Sequence, residues 1–314
     1  MTKTGQLTRL KEILSIPTYF RQEHQLLRYL IKYLQTTIYT FSVDAFGNLY
    51  ITKGKAEYYP CVCAHTDSVF PVSEYTVEEV TIENKLALTG KDNAGNRCGI
   101  GADDKAGVFV CIELLDQLPV IKVALFAGEE FGCVGSRNAS PDFFSDVAYA
   151  LEFDCPGKSN VTYECSGLQL FDAAGDFYRR IKSILTKYMG SKPVLQRHPF
   201  TDVWSLRRFF GISCINISTG YYNYHQSTEY VVVDQVIAAI AIGKDIISEL
   251  GLEKQPFKPD IQEILDYDER LELIKEQCPD IFLPASEYAE FQAPDDNQIQ
   301  IIRLLPEKSE LILN

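Results

Sequence analysis

The sequence lacks any long apolar segment. Apolar runs such as residues 231–233 and 236–242 are far shorter than the about 20 residues that a membrane-spanning helix needs. Residues 1–16, MTKTGQLTRLKEILSI, are charged and amphipathic, whereas a secretory signal has a basic segment followed by an apolar one. The sequence therefore predicts a protein without a membrane segment and without a secretory signal.

The sequence is also short of positive charge. It contains 30 lysines and arginines against 43 aspartates and glutamates, which gives a formal net charge of −13. Binding of nucleic-acid phosphates requires a basic stripe, and no such stripe occurs in the sequence. We therefore exclude nucleic acid as a partner.

Paired cysteines are absent as well. Nine cysteines are scattered along the chain without a C-x-x-C pair, which is the spacing that structural zinc sites use. Cys61, Cys63, Cys111 and Cys214 lie in apolar runs, which is typical of buried thiols in a reducing compartment. The pattern predicts a cytoplasmic protein that has no zinc–cysteine site.

The sequence does contain a regular alternation of strand and helix patterns. Short apolar runs that are typical of buried strands alternate with amphipathic segments between residues 59 and 251. This alternation predicts an α/β fold with a mainly parallel, mixed central sheet and helices on both faces. We also expect a hairpin that turns at Gly47–Asn48 and a polar loop over residues 90–101.

A change in composition after Gly251 suggests where the main domain ends. Residues 1–252 are expected to form one catalytic domain, and residues 253–314 an acidic extension that packs on it. The extension contains the pattern of a helix in IQEILDYDERLELIKEQ and of a strand in QIQIIRLL. An independent domain of this size would be only marginally stable.

Polar side chains stand where the expected strands end or the helices begin. They are His65, Asp67, Asp103, Asp104, Glu129, Glu130, Asp154 and His225. Ligands of open α/β sheets bind at the carboxyl ends of the strands, so we expect these residues to share one rim. So many carboxylates repel one another unless cations lie among them. Two divalent ions would neutralise the acids and create a hydrolytic centre.

Each element also has a purely structural interpretation. A lone histidine at a strand end is more often structural than a ligand. Asp104 alone would cap the helix that begins at Lys105, and Asp154 alone would be a turn residue before Pro156. Chance does not readily explain all of these elements together and in this order.

Five blocks of the sequence resemble the signatures of the co-catalytic zinc exopeptidases. The blocks are HTDSV, GIGADDKAGV, AGEEFGCVGS, LEFD and HQSTEYVVVDQV. That superfamily includes peptidase T, carboxypeptidase G and zinc aminopeptidases. ADDKAG is most similar to peptidase T, and the resemblance covers about residues 5–250. It implies a single zinc-exopeptidase-like catalytic domain.

The resemblance implies a metal ligand set. His65 and Asp154 would bind one metal ion, and Glu130 and His225 would bind a second, while Asp103 would bridge both. The implied cofactors are two divalent metal ions, zinc by preference, with cobalt and manganese as alternatives. The implied partner is a small peptide or an amino-acid amide.

The resemblance also implies roles for three neighbouring acids. Asp67 would orient the His65 ring. Glu129 would be the general base that takes a proton from the water bridged by the two metal ions. Asp104 would not be a ligand, and in relatives the peptide bond that joins it to Asp103 is cis.

The sequence departs from peptidase T at one point. Peptidase T carries an inserted lid or dimerisation domain between its last two metal blocks, but here the interval from Asp154 to His225 is filled by expected sheet and helix elements. Because that lid supplies the group that holds a substrate carboxylate, we expect recognition of a free amino terminus instead. Acidic residues around a metal pair hold an ammonium group without an extra domain. The oligomeric state stays open.

Two further stretches are candidates for the substrate pocket. HPFTDVWSLRRF resembles a pocket loop of related aminopeptidases, with Thr201, Asp202 and Trp204 as substrate-binding candidates. Its alternative interpretation is a helix capped by Thr201 or Asp202. TGYYNYH places three tyrosines beside His225, where they form either a pocket wall or sheet packing.

The sequence therefore predicts a two-metal hydrolase that cleaves a peptide bond at the end of a small peptide, as an aminopeptidase does. One alternative keeps the same site but acts on N-acyl amino acids. Another is a binding protein that kept the fold and lost the activity.

Overall fold

The structure, a computed structural model, describes residues 3–19, 22–71, 74–198 and 200–277 of the chain. The helices are α1 (Lys3–Leu14), α2 (His24–Leu34), α3 (Ala102–Gln117), α4 (Val134–Arg137), α5 (Pro141–Phe144), α6 (Asp176–Met189), α7 (Asp202–Phe210), α8 (Val233–Leu250) and α9 (Ile261–Gln277). The strands are β1 (Thr40–Val43), β2 (Leu49–Lys53), β3 (Tyr59–His65), β4 (Tyr75–Ile82), β5 (Lys85–Asp92), β6 (Arg97–Cys98), β7 (Ile121–Phe126), β8 (Val147–Cys155), β9 (Asn160–Cys165), β10 (Leu168–Gln169), β11 (Val194–His198), β12 (Cys214–Ser218), β13 (Tyr221–Tyr222) and β14 (Tyr230–Val232). Strands and helices alternate along the chain, which confirms the predicted α/β class.

A mixed sheet of nine strands forms the centre of the fold. Its strand order is β1-β2-β7-β3-β8-β12-β9-β10, with β11 paired to β9. The four central strands β7, β3, β8 and β12 run parallel to one another. The pairs β1–β2, β2–β7, β9–β12 and β9–β10 are antiparallel. The carboxyl ends of the four central strands therefore meet at one edge of the sheet, where ligands bind in this class of fold.

The central strands form because their residues are apolar on both faces. Every residue of β3 and of β7 is buried. Strands that are covered on both faces appear in the sequence as continuous apolar runs, and the prediction used this signal. His65 is the last residue of β3, as predicted, and Asp154 lies one residue before the end of β8.

Helices cover both faces of the main sheet. Successive side chains of a strand point to opposite faces, so neighbouring residues of β8 identify the helix on each side. A Cβ atom built on Gly243 of α8 would lie 2.9 Å from Phe153 Cζ. The adjacent Glu152 accepts a hydrogen bond from Thr201, the residue that precedes α7. α8 and α7 therefore lie on opposite faces, which confirms the prediction.

A second sheet contains β4, β5, β6, β13 and β14. Pairing of β14 with β5 brings the segment that follows His225 close to the segment that leads to Asp103. The prediction of a loop over residues 90–101 was wrong for residues 90–92, which belong to β5, and for residues 97–98, which form β6 and pair with β5. Residues 93–96 and 99–101 lie outside strands, as predicted. The strand β4, with the sequence YTVEEVTI, was missed because exposed glutamates and threonines interrupt the apolar pattern.

The carboxyl-terminal extension is described through α9. The backbone N–H of Gln255 donates to the carbonyl of Ala148 at 2.9 Å, and the Arg207 guanidinium lies 3.8 Å from the centre of the Phe257 ring. The helix predicted in IQEILDYDERLELIKEQ is confirmed as α9. The strand predicted in QIQIIRLL lies outside the described residues. The division of the chain at residue 252 stays a prediction.

The membrane and cysteine predictions concern the same apolar segments. No helix in the described part of the chain is long and apolar enough to cross a membrane. Cys61, Cys63, Cys111 and Cys214 are free, buried thiols. This burial confirms that these cysteines pack within the core.

Gly243 tests how closely α8 packs on the sheet. An alanine methyl group there would lie 2.7 Å from Leu114 Cδ1 and 2.9 Å from Phe153 Cζ. We expect Gly243→Ala to lower the free energy of unfolding by about 1–3 kcal/mol through overpacking, measured by urea denaturation. Lys244→Ala, at the exposed neighbouring position, is the control and should change it by less than about 0.5 kcal/mol. An equally stable Gly243→Ala variant would contradict this prediction.

Candidate active site

The five residues expected to be metal ligands converge at the carboxyl ends of the central strands. They are His65 at the end of β3, Asp103 in the first turn of α3, Glu130 after β7, Asp154 in β8 and His225 between β13 and β14. These segments are far apart in the sequence, and the parallel sheet brings them together.

His65 is a buried imidazole that faces two carboxylates. Its Nε2 atom lies 3.2 Å from Asp103 Oδ1 and 3.6 Å from Asp154 Oδ1. Its Nδ1 atom lies 3.1 Å from the backbone carbonyl oxygen of Asp67. A proton on Nδ1, donated to that carbonyl, leaves the lone pair of Nε2 directed at the carboxylates. The ring is therefore oriented as a metal ligand requires.

His225 lies on the other side of the same cluster. Its Nε2 atom is 2.8 Å from Glu130 Oε1 and 3.2 Å from Asp103 Oδ2. The His225 side chain is 41% exposed, whereas those of Glu130 and Asp103 are almost fully buried. Asp103 therefore directs one carboxylate oxygen to each histidine, which is the arrangement expected of a bridging ligand.

Asp67 holds the turn after β7 as well as the His65 ring. Its carboxylate oxygen Oδ1 lies 3.5 Å from His65 Nδ1. Its two oxygens also accept hydrogen bonds from the backbone N–H groups of Glu129 and Glu130, each at 3.1 Å. Hydrogen bonds to a carboxylate are stronger than neutral ones, and Asp67 is fully buried. Sequence reasoning linked Asp67 to the histidine alone and missed these two backbone contacts.

The peptide bond between Asp103 and Asp104 is cis, as the resemblance implied. The Asp104 carboxylate accepts hydrogen bonds from the backbone N–H groups of Gly107 at 3.0 Å and His65 at 3.2 Å. Because Asp103 and Asp104 have non-helical backbone angles, the first bond caps the regular part of α3 that begins at Lys105, which was the structural interpretation of Asp104. Its carboxylate also lies within 4.8 Å of the ligand atoms of His65 and Asp154. Asp104 thus joins α3 to β3 while Asp103 faces the cluster.

The charges of the cluster shift the pKa values of its members. Burial, and then the charge of Asp103, raises the pKa of Glu130 to about 7 and that of Asp154 to about 6. Burial lowers the pKa of His225, but Asp103 and Glu130 raise it by more, to about 10. Burial raises the pKa of Asp103, whereas hydrogen bonds with His225 and His65 bring it well below its usual range. Divalent cations would relieve the same repulsion that protons relieve here.

The donor atoms fit divalent metal ions. The ligand atoms of His65, Asp103 and Glu130 lie within 4.8 Å of one another. Two ligands that are each about 2.1 Å from a tetrahedral ion are about 3.4 Å apart. The distances from the two histidine nitrogens to the carboxylate oxygens range from 2.8 to 3.6 Å. Imidazole and carboxylate are also the ligands that zinc takes in hydrolytic sites.

Glu129 lies beside the cluster and lines the same cavity. Its side chain is buried, and its Oε1 atom is 3.7 Å from Cys133 Sγ. Burial, opposed by the charge of His65 and reinforced by those of Asp154 and Glu130, raises its pKa well above the usual range. A carboxyl group with a raised pKa in a cavity is a candidate for proton transfer.

A cavity of about 390 Å³ opens onto these residues. Besides the acids and His225, its walls contain Val69, Pro156, His198, Phe200, Tyr221 and Tyr224. Among the described residues that line this cavity there is no lysine and no arginine. The cavity is therefore lined by acids and by mainly apolar side chains, which we call its apolar wall.

Of the three tyrosines beside His225, two line the cavity and one packs on the second sheet, so both interpretations apply. Tyr221 and Tyr224 line the cavity, and the Tyr221 hydroxyl donates a hydrogen bond to Asp154 Oδ1 at 3.0 Å. Tyr222 stacks on Tyr230, with ring centroids 5.1 Å apart. The sequence offered no signal for the Tyr221 contact, because the alternation of a two-residue strand cannot be recognised.

The three substrate-binding candidates lie beneath the cavity and do not line it. Thr201, Asp202 and Trp204 are buried, and their neighbour Phe200 lines the cavity instead. The Thr201 hydroxyl donates a hydrogen bond to Glu152, so it does not cap α7, which begins at Asp202. A role of these three residues in substrate binding stays a prediction.

Solved structures resemble this chain in fold. Aminopeptidase PepT from Bacillus cereus ATCC 10987 matches with a TM-score of 0.64 at 14% identity, over 80% of this chain and 99% of that one. A tripeptidase from Staphylococcus aureus Mu50 matches with a TM-score of 0.61 at 13% identity, over 79% and 99% of the two chains. An aminopeptidase from the archaeon Desulfurococcus kamchatkensis matches with a TM-score of 0.55 at 16% identity, over 79% and 98%.

Comparison of sequences, as well as of folds, relates the chain to known proteins. No curated protein matches the chain. The sequence model of peptidase family M28 matches residues 49–232, which include the strands and turns that carry all five expected metal ligands. Because this match spans more than half of the chain, the protein belongs to peptidase family M28, within the superfamily of co-catalytic zinc exopeptidases that its motifs resemble.

Proposed function

We propose that this protein is a metal-dependent aminopeptidase that removes residues from the amino terminus of small peptides. The observation that carries the proposal is the convergence of His65, Asp103, Glu130, Asp154 and His225 at one edge of the sheet, where all of them except the buried His65 line one cavity. Membership of a peptidase family gives the reaction class, which is hydrolysis of peptide bonds. Loss of activity during evolution commonly removes some of such residues, and none is missing here.

The proposed centre holds two divalent ions, with zinc as the first candidate and cobalt or manganese as alternatives. His65 and Asp154 would hold one ion, Glu130 and His225 the other, and Asp103 both. When bound, two such ions lower the pKa of a shared water towards about 7 and stabilise negative charge on the substrate carbonyl oxygen.

Glu129 is the proposed general base. It accepts a proton from the attacking water and delivers a proton to the leaving amine. Its carboxylate lines the cavity, while Asp67 holds its backbone N–H. Asp67 also lies against the His65 ring, so one buried carboxylate aligns the base and a ligand. This arrangement supports the roles proposed for Glu129 and Asp67.

The composition of the cavity favours an amino terminus over a carboxyl terminus. A free substrate carboxylate needs a cationic partner, and no lysine or arginine occurs among the described residues that line the cavity. Its two histidines are the proposed ligand His225 and His198, whose Nδ1 atom lies 2.5 Å from the carbonyl oxygen of Phe200. The lining acids Glu129 and Glu130 attract an ammonium group. The same observation disfavours N-acyl amino acids, which carry a carboxylate and have no free amine.

The apolar wall indicates which side chains the cavity accepts. Val69, Phe200 and Tyr224 present apolar surface beside the proposed metal centre. Burial of apolar surface stabilises a bound side chain by about 25 cal/mol per Å². We therefore propose that the preferred peptides begin with an apolar or aromatic residue.

Two broader assignments belong to the same proposal. We infer that residues 1–252 form the catalytic domain and that the extension packs on it. The contacts of Gln255 and Phe257 with the main domain support this division. The free, buried thiols support a reducing, cytoplasmic compartment.

Replacing Glu129 tests the proposed general base. We expect Glu129→Gln to lower kcat about 100- to 10,000-fold, because the amide cannot accept the proton. Bound metal, measured by elemental analysis, should not change. Glu164→Gln is the control and should keep wild-type turnover. Glu164 lies in β9, and its carboxylate pairs with Arg197 of β11. Near-normal hydrolysis by Glu129→Gln would contradict the assignment.

Blocking either end of the substrate tests which terminus is recognised. We expect amino-terminal acetylation of a tripeptide to abolish cleavage, because the blocked amine no longer carries a charge for the acidic lining to attract. Carboxyl-terminal amidation should leave kcat/KM nearly unchanged. Mass spectrometry of the products identifies the bond that is cut. Cleavage of acetylated amino acids would instead favour the deacylase alternative.

Replacing Phe200 tests the apolar wall. We expect Phe200→Ala to lower kcat/KM about tenfold for a leucine p-nitroanilide and much less for the alanine analogue. The difference should arise because only the larger side chain reaches the wall. Phe209→Ala, at an aromatic residue that is 48% exposed and does not line the cavity, is the control. An equal loss for both substrates would argue against a specificity role for Phe200.

A further inference from the structure

Glu229 is a buried carboxylate for which the proposed mechanism has no role. It lies four positions after His225, immediately before β14. The residue is only 2% exposed, and a carboxylate at such a depth requires compensating hydrogen bonds. The hydrogen bonds of Glu229 therefore show which part of the chain holds the segment after His225 in place.

Three backbone N–H groups of the segment that leads to Asp103 donate to Glu229. The N–H groups of Ile100 and Gly101 each lie 2.7 Å from Oε2, and the N–H of Asp103 lies 3.2 Å from Oε1. Gly101 has a left-handed backbone with φ of 59°, which lets successive N–H groups converge on one anion. A Cβ atom at Gly101 would lie 3.0 Å from Ser68 Oγ, so the turn favours glycine.

The backbone of Thr228 and Glu229 is also held in place by hydrogen bonds. The Thr89 hydroxyl donates to the carbonyl oxygen of Glu229 at 3.0 Å, and Arg97 donates to the carbonyl of Thr228 at 3.0 Å. Both donors belong to the second sheet, which β14 joins by pairing with β5. Glu229 therefore links two ligand-bearing segments, one ending at Asp103 and one containing His225.

The position of His225 depends on the contacts of Glu229 more than the positions of the other proposed ligands do. Its side chain is 41% exposed, and its residue lies in a loop with φ of 61°. His65 and Asp154, by contrast, belong to buried strands of the main sheet. A shift between the loop and the Asp103 segment would change the distance from His225 Nε2 to Asp103 Oδ2, which is now 3.2 Å.

We propose that Glu229 is a positioning residue for the metal ion on the His225 side of the centre. It sets the distance between Asp103 and His225 through their backbones and does not bind the ion itself. This inference rests on the proposed function, because it requires the two-ion centre. Partners that orient metal ligands commonly change metal affinity by about 10- to 100-fold when they are replaced.

Metal titration of Glu229→Gln tests the inference directly. Glutamine keeps the size of the side chain, but one oxygen is replaced by an NH₂ group that faces backbone N–H donors. We expect calorimetric titration of the metal-free protein with Zn²⁺ to give two ions per wild-type chain. In Glu229→Gln, one ion should bind with wild-type affinity and the other about 10- to 100-fold more weakly.

Two further variants separate positioning from general stability. Glu113→Gln removes another buried carboxylate, which accepts hydrogen bonds from Arg9 and Gln6 away from the centre. It should lower Tm yet bind both ions as the wild type does. Glu229→Asp keeps the charge but shortens the side chain, so it should also weaken one ion selectively. It replaces Glu229→Gln in the titration if that variant does not fold.

The outcomes distinguish this inference from the proposed function. Selective weakening of one ion supports the inference. Two ions bound at wild-type affinity by Glu229→Gln would overturn the inference alone, as would equal weakening of both ions or failure of both Glu229 variants to fold. A wild-type chain that binds no divalent ion would overturn the proposed function and this inference with it.

Discussion

Repulsion among buried carboxylates is the constraint on which the rest of this structure depends. Asp103, Glu129, Glu130 and Asp154 meet at the edge of an apolar sheet, where little water screens their charges. Like charges in such surroundings raise one another's pKa and oppose folding. The two imidazoles relieve part of this cost, and protons or metal cations among the acids relieve it further. The family assignment and the two imidazoles make metal cations the better explanation.

The fold holds the acids in place with other acids. Asp67, Asp104 and Glu229 are buried, and each accepts two or three backbone N–H groups from segments that carry the proposed ligands or the proposed base. Backbone N–H groups at turns and at the ends of helices and strands need a partner, so a carboxylate that accepts from them satisfies them while their dipoles stabilise its charge. Each anchor thus joins two segments that are remote in the sequence. The precision of the site comes from these backbone contacts.

The sequence revealed the four parallel strands of the main sheet and the residues at their ends, because buried parallel strands are continuous apolar runs. It did not reveal β9, β10 or β11, which belong to the same sheet. It also did not reveal β4, which exposes polar residues, or the pairing of β14 with β5, which joins strands that are distant in the sequence. Contacts between distant residues also hid the roles of the buried carboxylates that accept backbone N–H groups. Glu229 stood in a recognised block, yet its contact with Gly101 joins residues that no local pattern connects. Similarly, Phe200 could be distinguished from Thr201 as the cavity residue only in three dimensions.

The proposed metal ligands are spread from residue 65 to residue 225, and this has a consequence for the order of folding and metal binding. No short stretch of the chain contains a complete ligand set, so the centre cannot assemble around an ion before β7, β3, β8 and β12 lie side by side. Long-range strand pairing of this kind is slow, because loop closure precedes the contacts that reward it. Under the proposed function, the sheet would form before the centre is complete, and ions that bind afterwards would displace protons from the acids. Under the proposed function, metal supply would limit how much of the folded protein is active, and ions bound after folding would add to its stability.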